Sequence, residues 1–274
     1  MLGQYLITFR EVFEAALITA IILSYLIRTG RQPLTRYVWY GVYLAIAASL
    51  AIGVAIWLIY GILPKTTQLL FEAIAAFVAV LVLSSIIYWM AIRGRYLKKE
   101  IETRVEAIVT RGAIIWLISL AFIVVFREGL ETVLFLTPFF LEDMRATAFG
   151  MFLGILGGVL LSYSIFVAGM KINLRKFFYF TSLLLILLAG GLAGYGVHEL
   201  IEYFKKIGID VGWLGEYAYN LNIPESNLLH HKGAIGSIFA VMFGYTTKAE
   251  WARVIVHLIY LAVAIPITVW IYRK

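Results

Sequence analysis

Seven long apolar runs dominate the hydrophobic pattern of this 274-residue chain, and mostly short polar connections separate them. A helix needs about 20 mostly apolar residues to cross a bilayer, and each run reaches that length. We therefore predict seven membrane-spanning helices, over residues 4–27, 37–62, 68–92, 112–140, 146–170, 177–201 and 251–272. The expected fold class is an all-α polytopic membrane protein with a long outer loop over residues 202–250.

Composition supports a single membrane domain over residues 1–274. Hydrophobic residues make up 62% of the chain and charged residues only 14%, which lies outside the range of soluble globular proteins. The chain has no cysteine, which excludes disulfides, thiolate metal sites and cysteine nucleophiles. Since the basic residues lie in loops between apolar runs, the net charge of +7 does not indicate nucleic-acid binding. We expect the first run to be a retained helix rather than a cleaved signal peptide, because it carries charges in its body.

Lys and Arg fall mainly on one side of the predicted bundle, and the positive-inside rule makes that side cytoplasmic. It holds Arg28, Arg31, Arg36, Arg93, Arg95, Lys98, Lys99, Arg104, Arg111, Lys171, Arg175, Lys176, Arg273 and Lys274. We therefore expect a cell-membrane protein with its N-terminus outside and its C-terminus in the cytoplasm. Most acidic residues fall on the outer side, where they would attract cations weakly or merely keep the loops soluble.

Two related charged motifs interrupt the first and fourth apolar runs. They are Arg10-Glu11-Val12-Phe13-Glu14 and Arg127-Glu128-Gly129-Leu130-Glu131, each preceded by Phe. Six charged side chains facing lipid would cost about 15–20 kcal/mol even on the lenient insertion scale. The motifs must therefore face the protein interior, where such charges usually mark a functional site.

An odd number of crossings separates the two motif helices, so they must run in opposite directions. We interpret residues 1–92 and 112–201 as an inverted three-plus-three repeat, with residues 251–272 as an added helix. Glycines recur at four-residue spacing in the fifth and sixth runs, at Gly150, Gly154, Gly158, Gly190 and Gly194. We expect these faces to pack within the chain, with a dimer face as the alternative.

The motif carboxylates favour binding of a hard cation. The two Glu of each motif are three residues apart and share a helix face, and each Arg can pair with the Glu four residues later. The alternative is that the motifs form only buried salt bridges with a structural role. However, two Arg cannot neutralise four Glu, and uncompensated buried anions take protons or bind a cation. Oxygen donors select Mg, Ca, Mn and especially Fe(III).

A second candidate patch lies toward the outer end of the sixth run. His198, Glu199 and Glu202 would add an imidazole and two carboxylates, and His198 lies four residues before Glu202. We expect Glu199, with His198, to meet the ion at the outer mouth, with Glu202 as a further member. A histidine in a packing role is the equal alternative. In the outer loop His230 and His231 form a possible site, although we expect solvated histidines there.

Several of these motifs resemble those of a known protein family. Arg-Glu-x-x-Glu in the first and fourth of seven helices resembles the oxidase-dependent iron permease family, which includes the fungal high-affinity iron permeases and bacterial EfeU-type permeases. Residues 14–18, 196–200, 236–237 and 243–245 are also similar to family stretches, whereas Val12-Phe13 departs from the usual Gly-Leu. The resemblance implies transport of iron, as Fe(III) or Fe(II), with these motif glutamates as ligands: Glu11, Glu14, Glu128 and Glu131. Arg10 and Arg127 would orient these carboxylates.

The family often works with a separate oxidase or extracytoplasmic iron-binding partner, and a homo-oligomer is a further expectation. Two other functions remain open: a transporter of another hard cation such as Mn(II) or Pb(II), and an intramembrane di-metal enzyme. The enzyme is disfavoured because no predicted span contains the Glu-x-x-His of the di-iron carboxylate proteins. We therefore expect no catalytic residues. We also expect membrane lipid to surround the helices.

Overall fold

Long helices make up most of the computed structural model of this chain. The structure describes residues 2–93, 97–110, 114–166, 174–224 and 244–273, together with positions 227, 229, 230, 236, 239 and 240. Within these ranges the helices are α1 (Leu2–Arg28), α2 (Thr35–Ile62), α3 (Lys65–Arg93), α4 (Leu97–Thr110), α5 (Ile114–Glu142), α6 (Met144–Phe166), α7 (Leu174–Lys206) and α8 (Trp251–Arg273). Two short 3₁₀ helices span Gln32–Leu34 and Gly212–Gly215, and two strands, β1 (Tyr217–Asn220) and β2 (Lys248–Glu250), complete the described elements.

Seven of these helices coincide with the seven predicted apolar runs, with ends a few residues apart. Five of them, α2, α3, α6, α7 and α8, are long and apolar enough to cross a membrane. The other two, α1 and α5, differ from these five because each carries three charged residues within its motif. The structure is therefore that of an all-α polytopic membrane protein.

Two described elements were not predicted. Residues 98–111 were expected to be a connection, yet Leu97–Thr110 forms the amphipathic helix α4, which buries Ile101 and Val105 against α1 and α5. An ion pair of 2.5 Å between Arg28 Nη2 and Glu102 Oε1 ties α4 to the end of α1. In the outer loop, β1 and β2 pair as an antiparallel ribbon, which brings the two ends of that loop together.

Each motif helix packs mainly on a partner from the other half of the chain. Helix α1 packs on α6, α5 packs on α2, and α3 packs on α7, while α8 covers α7. Glycines allow this approach, since a Cβ on Gly154 would lie 2.7 Å from Thr8 Cβ and one on Gly41 would lie 2.5 Å from the Ile118 carbonyl oxygen. Such distances leave no room for a side chain.

The predicted intramolecular role of the glycine faces is confirmed. Gly150, Gly154 and Gly158 are buried in α6, and the last two contact α1. Gly190 and Gly194 of α7 lie against side chains of α8.

The motif segment of α1 lies between two apolar clusters. Phe13 belongs to a cluster built mainly from α1, α2, α4 and α5, whereas Ile7 of α1 belongs to one built otherwise from α3, α5 and α7. The charged residues between them are thereby held in the interior. Several residues used in the sequence analysis lie outside the described residues: the span ends 112, 113 and 167–170, and Arg95, Arg111, Lys171, Glu225, His231, Lys232, Ser237, Phe243 and Lys274.

Candidate metal centre in the carboxylate motifs

Arg10 is fully surrounded by protein and holds both glutamates of its own motif. Its Nη1 lies 2.6 Å from Glu11 Oε1 and its Nη2 lies 2.7 Å from Glu14 Oε1. The predicted pair four residues apart is present, and the pair with the adjacent residue was not predicted. Only 2% of the Arg10 side chain is exposed, so the two carboxylates rather than solvent neutralise this charge.

Arg127 makes the corresponding contacts in looser surroundings. Its Nη2 lies 3.0 Å from Glu128 Oε1 and its Nε lies 3.1 Å from Glu131 Oε1. The side chain is 42% exposed, and its guanidinium stacks over the indole of Trp89 at 4.9 Å from the ring centroid. The two motif arginines therefore differ in burial even though their sequence positions correspond.

Three of the four motif glutamates converge. One oxygen each from Glu11, Glu128 and Glu131 lies within 4.8 Å of the other two, and all three side chains are buried. Among the described residues, no other group of three or more His, Asp or Glu side chains meets that spacing. Glu14 is equally buried but lies outside the group of three, beside Arg10.

Each motif glutamate has at least one oxygen without a hydrogen-bond partner in the described part of the chain. These are the Oε2 atoms of Glu11 and Glu131 and both carboxylate oxygens of Glu14 and Glu128. A buried carboxylate oxygen with no donor is costly, and this cost is removed by a proton or by a bound cation. Because two arginines face four glutamates, the arginines cannot satisfy every oxygen. The arrangement can therefore hold a hard cation through carboxylate oxygens alone.

A large cavity adjoins this centre between α1, α2, α5 and α6. It has a volume of about 980 Å³, and its walls are mostly apolar side chains. Glu11 and Glu128 line it together with hydroxyl-bearing residues that include Thr8, Ser49 and Thr132. The carboxylates thus border a groove between these helices, and exposed apolar side chains such as Leu50 and Trp57 form part of its rim.

A second group of polar residues lies at the outer ends of α3 and α7. Glu72 of α3 is buried and accepts hydrogen bonds at both oxygens, from the Tyr60 hydroxyl at 2.5 Å and from the Tyr195 hydroxyl. Glu199 lies near Glu72 and Glu142 and interacts electrostatically with both. Glu142 is eleven residues from Glu131 along α5, which is roughly 16 Å at 1.5 Å per residue. The outer group is therefore separate from the motif carboxylates.

His198 is held by a residue far away in the sequence. Its Nδ1 lies 2.8 Å from Oε1 of Glu250, the last residue of β2. Burial raises the pKa of the Glu250 carboxyl, but the hydrogen bond and charge of His198 outweigh burial and hold this pKa below its ordinary value. Glu202, grouped with His198 in the sequence analysis, instead contacts Lys205 at 3.2 Å.

Several outer residues contradict the expectation of solvated loop side chains. Glu72, Glu250 and His230 are all buried, because the helix ends and the ribbon cover them. The sequence analysis also missed the tyrosines that hold Glu72. The sequence could have indicated Glu72, since it is an acid at the outer end of an apolar run. It could not have indicated Tyr60 and Tyr195, because their contacts with Glu72 depend on how three helices pack.

The fold and this site define a class: a polytopic helical membrane protein with buried carboxylates able to hold a hard cation. The chain belongs to the iron permease FTR1 family, whose pattern it matches over residues 1–272. The expected resemblance to iron permeases is therefore confirmed, and the protein is a membrane permease for iron.

Known proteins are similar to this chain along nearly its whole length. An uncharacterized protein of Archaeoglobus fulgidus is 45% identical over 262 residues, covering 96% of this chain and 92% of that protein. The ferrous iron permease EfeU of Yersinia pestis is 35% identical over 273 residues, with 97% and 92% covered. EfeU of Escherichia coli O6:H1 is 34% identical over 273 residues, with 97% and 94% covered. No solved structure matches the chain.

Proposed function

We propose that this protein imports iron ions across the plasma membrane through the motif carboxylates. The observation that carries the proposal is the convergence of Glu11, Glu128 and Glu131 within 4.8 Å in a buried site with excess negative charge. Glu14 serves as a fourth ligand that can exchange between Arg10 and the ion. Ligands that share an ion transiently suit transport, because an ion must leave as well as bind.

The route begins at the acidic outer face. Glu199 and His198 receive the ion, with Glu202 at the rim, and an oxidase or extracytoplasmic iron-binding protein would deliver iron there. The ion then passes to the motif carboxylates and leaves toward the side on which Arg127 is partly exposed. Arg10 and Arg127 orient the carboxylates and limit the negative charge of the empty site.

The architecture we propose has seven spans and an inverted repeat. Helices α1 and α5 span the membrane despite their charges, because those charges face each other in the interior. In the repeat, α1, α2 and α3 correspond to α5, α6 and α7, and α8 is the added helix. The packing supports this correspondence, since α1 packs on α6 just as α5 packs on α2, and α3 packs on its own counterpart α7.

The form of iron carried follows from two considerations. The relatives from Y. pestis and E. coli are named ferrous iron permeases, which favours Fe(II). Carboxylate oxygens alone favour the harder Fe(III). We propose Fe(II) as the transported form, because a more weakly held ion is released more readily. Radioactive iron supplied with ascorbate or as ferric citrate separates the two.

Uptake in cells that lack other iron importers tests the proposal. Glu131→Ala removes a ligand of the converging group, and Glu14→Ala removes the fourth carboxylate, so we expect each to lower uptake of radioactive iron at least tenfold. Glu216→Ala is the matched control, because Glu216 is an exposed outer acid. Uptake near the wild-type level in the first two variants, at equal protein levels, would end the assignment.

Competition separates iron from other hard cations. Excess Mn(II) or Pb(II) should reduce iron uptake only weakly if iron is the substrate. If either metal is itself transported faster than iron in the same cells, the alternative substrate is correct.

A further inference from the structure

A second cavity, distinct from the carboxylate centre, contains an arginine without a partner among the described residues. It has a volume of about 500 Å³ and lies between α7, α8 and the outer ribbon. Arg253, in the first turn of α8, lines it. The guanidinium forms no ion pair and no hydrogen bond with any residue in the described ranges. Arg253 is partly buried, and a charge that has lost part of its contact with solvent is stabilised when a group of opposite charge binds beside it.

The nearest acid does not supply it. Glu250 lies three residues before Arg253 and influences it electrostatically, but its Oε1 is engaged by His198 at 2.8 Å and its Oε2 makes no hydrogen bond with any described residue. Glu142, Glu199 and Tyr219 also act on Arg253 only at a distance. These groups make the surroundings less positive without occupying the donor positions of the guanidinium.

One turn further along α8, His257 also lines this cavity. Its Nδ1 is buried and has no hydrogen-bond partner among the described residues. Arg253 and His257 are four residues apart and therefore lie on one helix face. Tyr219 and Tyr245 line the same cavity. The wall thus offers several donors and a positive charge.

Glycines shape the opposite wall. A Cβ on Gly194 of α7 would lie 3.2 Å from Arg253 Cγ, and one on Gly190 would lie 3.2 Å from the His257 ring. Gly244, with a φ of +62°, approaches the same ring so closely that a Cβ would lie 2.8 Å away. Larger residues would push Arg253 and His257 away from α7 and change the cavity.

We propose that this cavity binds a small oxyanion, a carboxylate or phosphate group, between Arg253 and His257. The planar guanidinium matches two oxygens of such a group, and the imidazole of His257 can donate an N–H to it. The beginning of α8 adds the partial positive charge of a helix N-terminus. The anion is either free in the outer solution or the phosphate of a lipid headgroup, since the neighbouring Trp251 is exposed at the position of an interfacial anchor. This inference is independent of iron transport.

Thermal unfolding of the purified full chain in phosphate-free dodecyl maltoside tests the proposal. The probes are citrate, inorganic phosphate and phosphatidylglycerol. At least one should raise the unfolding midpoint, because a ligand that binds only the folded state stabilises it. Calorimetric titration then gives the affinity for citrate or phosphate, and native mass spectrometry detects retained phosphatidylglycerol, which distinguishes a free anion from a lipid.

Arg253→Gln is the decisive variant. It should bind the effective probe at least tenfold more weakly, while its midpoint without the probe does not fall, because the substitution removes an unpaired charge. Arg145→Gln, which alters an exposed arginine on the same side of the membrane, should bind like the wild type. If Arg253→Gln does not fold, Arg253→Lys and His257→Gln replace it, and each should weaken binding at least threefold.

The proposal is overturned if no probe changes the wild-type midpoint. It is also overturned if the variants at Arg253 and His257 bind as tightly as the Arg145→Gln control. Iron uptake is not a readout of this experiment, so the outcome is separate from that of the transport assay.

Discussion

Arg10 and Arg127 hold corresponding positions in the two motifs, yet the protein surrounds them differently. Arg10 is buried with both of its carboxylates, whereas Arg127 is 42% exposed and rests on Trp89. Charge is screened by water only where water reaches it, so the contribution of each arginine to stability should differ. The sequence alone cannot reveal this, because the two motifs read almost identically.

Replacing each arginine by glutamine measures that difference. Arg10→Gln leaves Glu11 and Glu14 buried without their counter-charge, so we expect the free energy of unfolding to fall by about 3–5 kcal/mol. Arg127→Gln should be clearly milder, because solvent stabilises its glutamates in part. Thermal unfolding in detergent without added metal provides the measurement. Equal losses for the two variants would contradict the difference in burial.

Glu250 contacts His198, the residue we propose as an outer ligand. When the imidazole is neutral and its Nδ1–H donates to the Glu250 oxygen, the Nε2 lone pair is left to face a cation. We expect Glu250→Ala to raise the KM for iron uptake several-fold with little change in maximal rate. Glu250→Gln keeps an acceptor oxygen and should restore most of the affinity. If both variants behave alike, orientation of His198 has no part in capturing the ion.

At the scale of helices, the close approach of α6 to α1 and of α2 to α5 depends on glycine. Gly154→Ala would place a methyl group 2.8 Å from the Tyr5 carbonyl oxygen, and Gly41→Ala would place one 2.9 Å from the backbone nitrogen of Phe122. Backbone cannot move aside as a flexible side chain can. We expect each variant to lower stability by about 1–3 kcal/mol and to reduce iron uptake, because the motif helices shift.

Gly61→Ala is the control for both, since nothing lies within 4 Å of the added carbon at that helical position. It should be neutral or slightly stabilising. If the halves form an inverted repeat, the Gly154 and Gly41 variants should also resemble each other in severity. A loss confined to one of them would argue against equivalent packing in the two halves.

For the whole molecule, hydrophobic length predicted the seven long helices because crossing a bilayer requires a long apolar run. The same criterion could not find α4 or the β1–β2 ribbon, which are short and form against elements distant in the sequence. The motif glutamates were predictable because charge inside an apolar run is conspicuous. The contact between His198 and Glu250 was not, since 52 residues separate them and the ribbon brings them together.

Orientation is the property of the whole molecule on which the proposed direction of transport depends. The chain has no cysteine, so a single introduced cysteine reports its own side of the membrane without background. We expect Lys206→Cys, at the outer end of α7, to react with a membrane-impermeant maleimide in intact cells. Gln32→Cys, between α1 and α2, should react only after permeabilisation. Both positions are exposed in the structure, so a failure to react reflects membrane side rather than burial. Because an odd number of spans separates the two positions, labelling of both from outside would refute the seven-span topology. The reverse pattern would mean that the proposed route carries iron out of the cell.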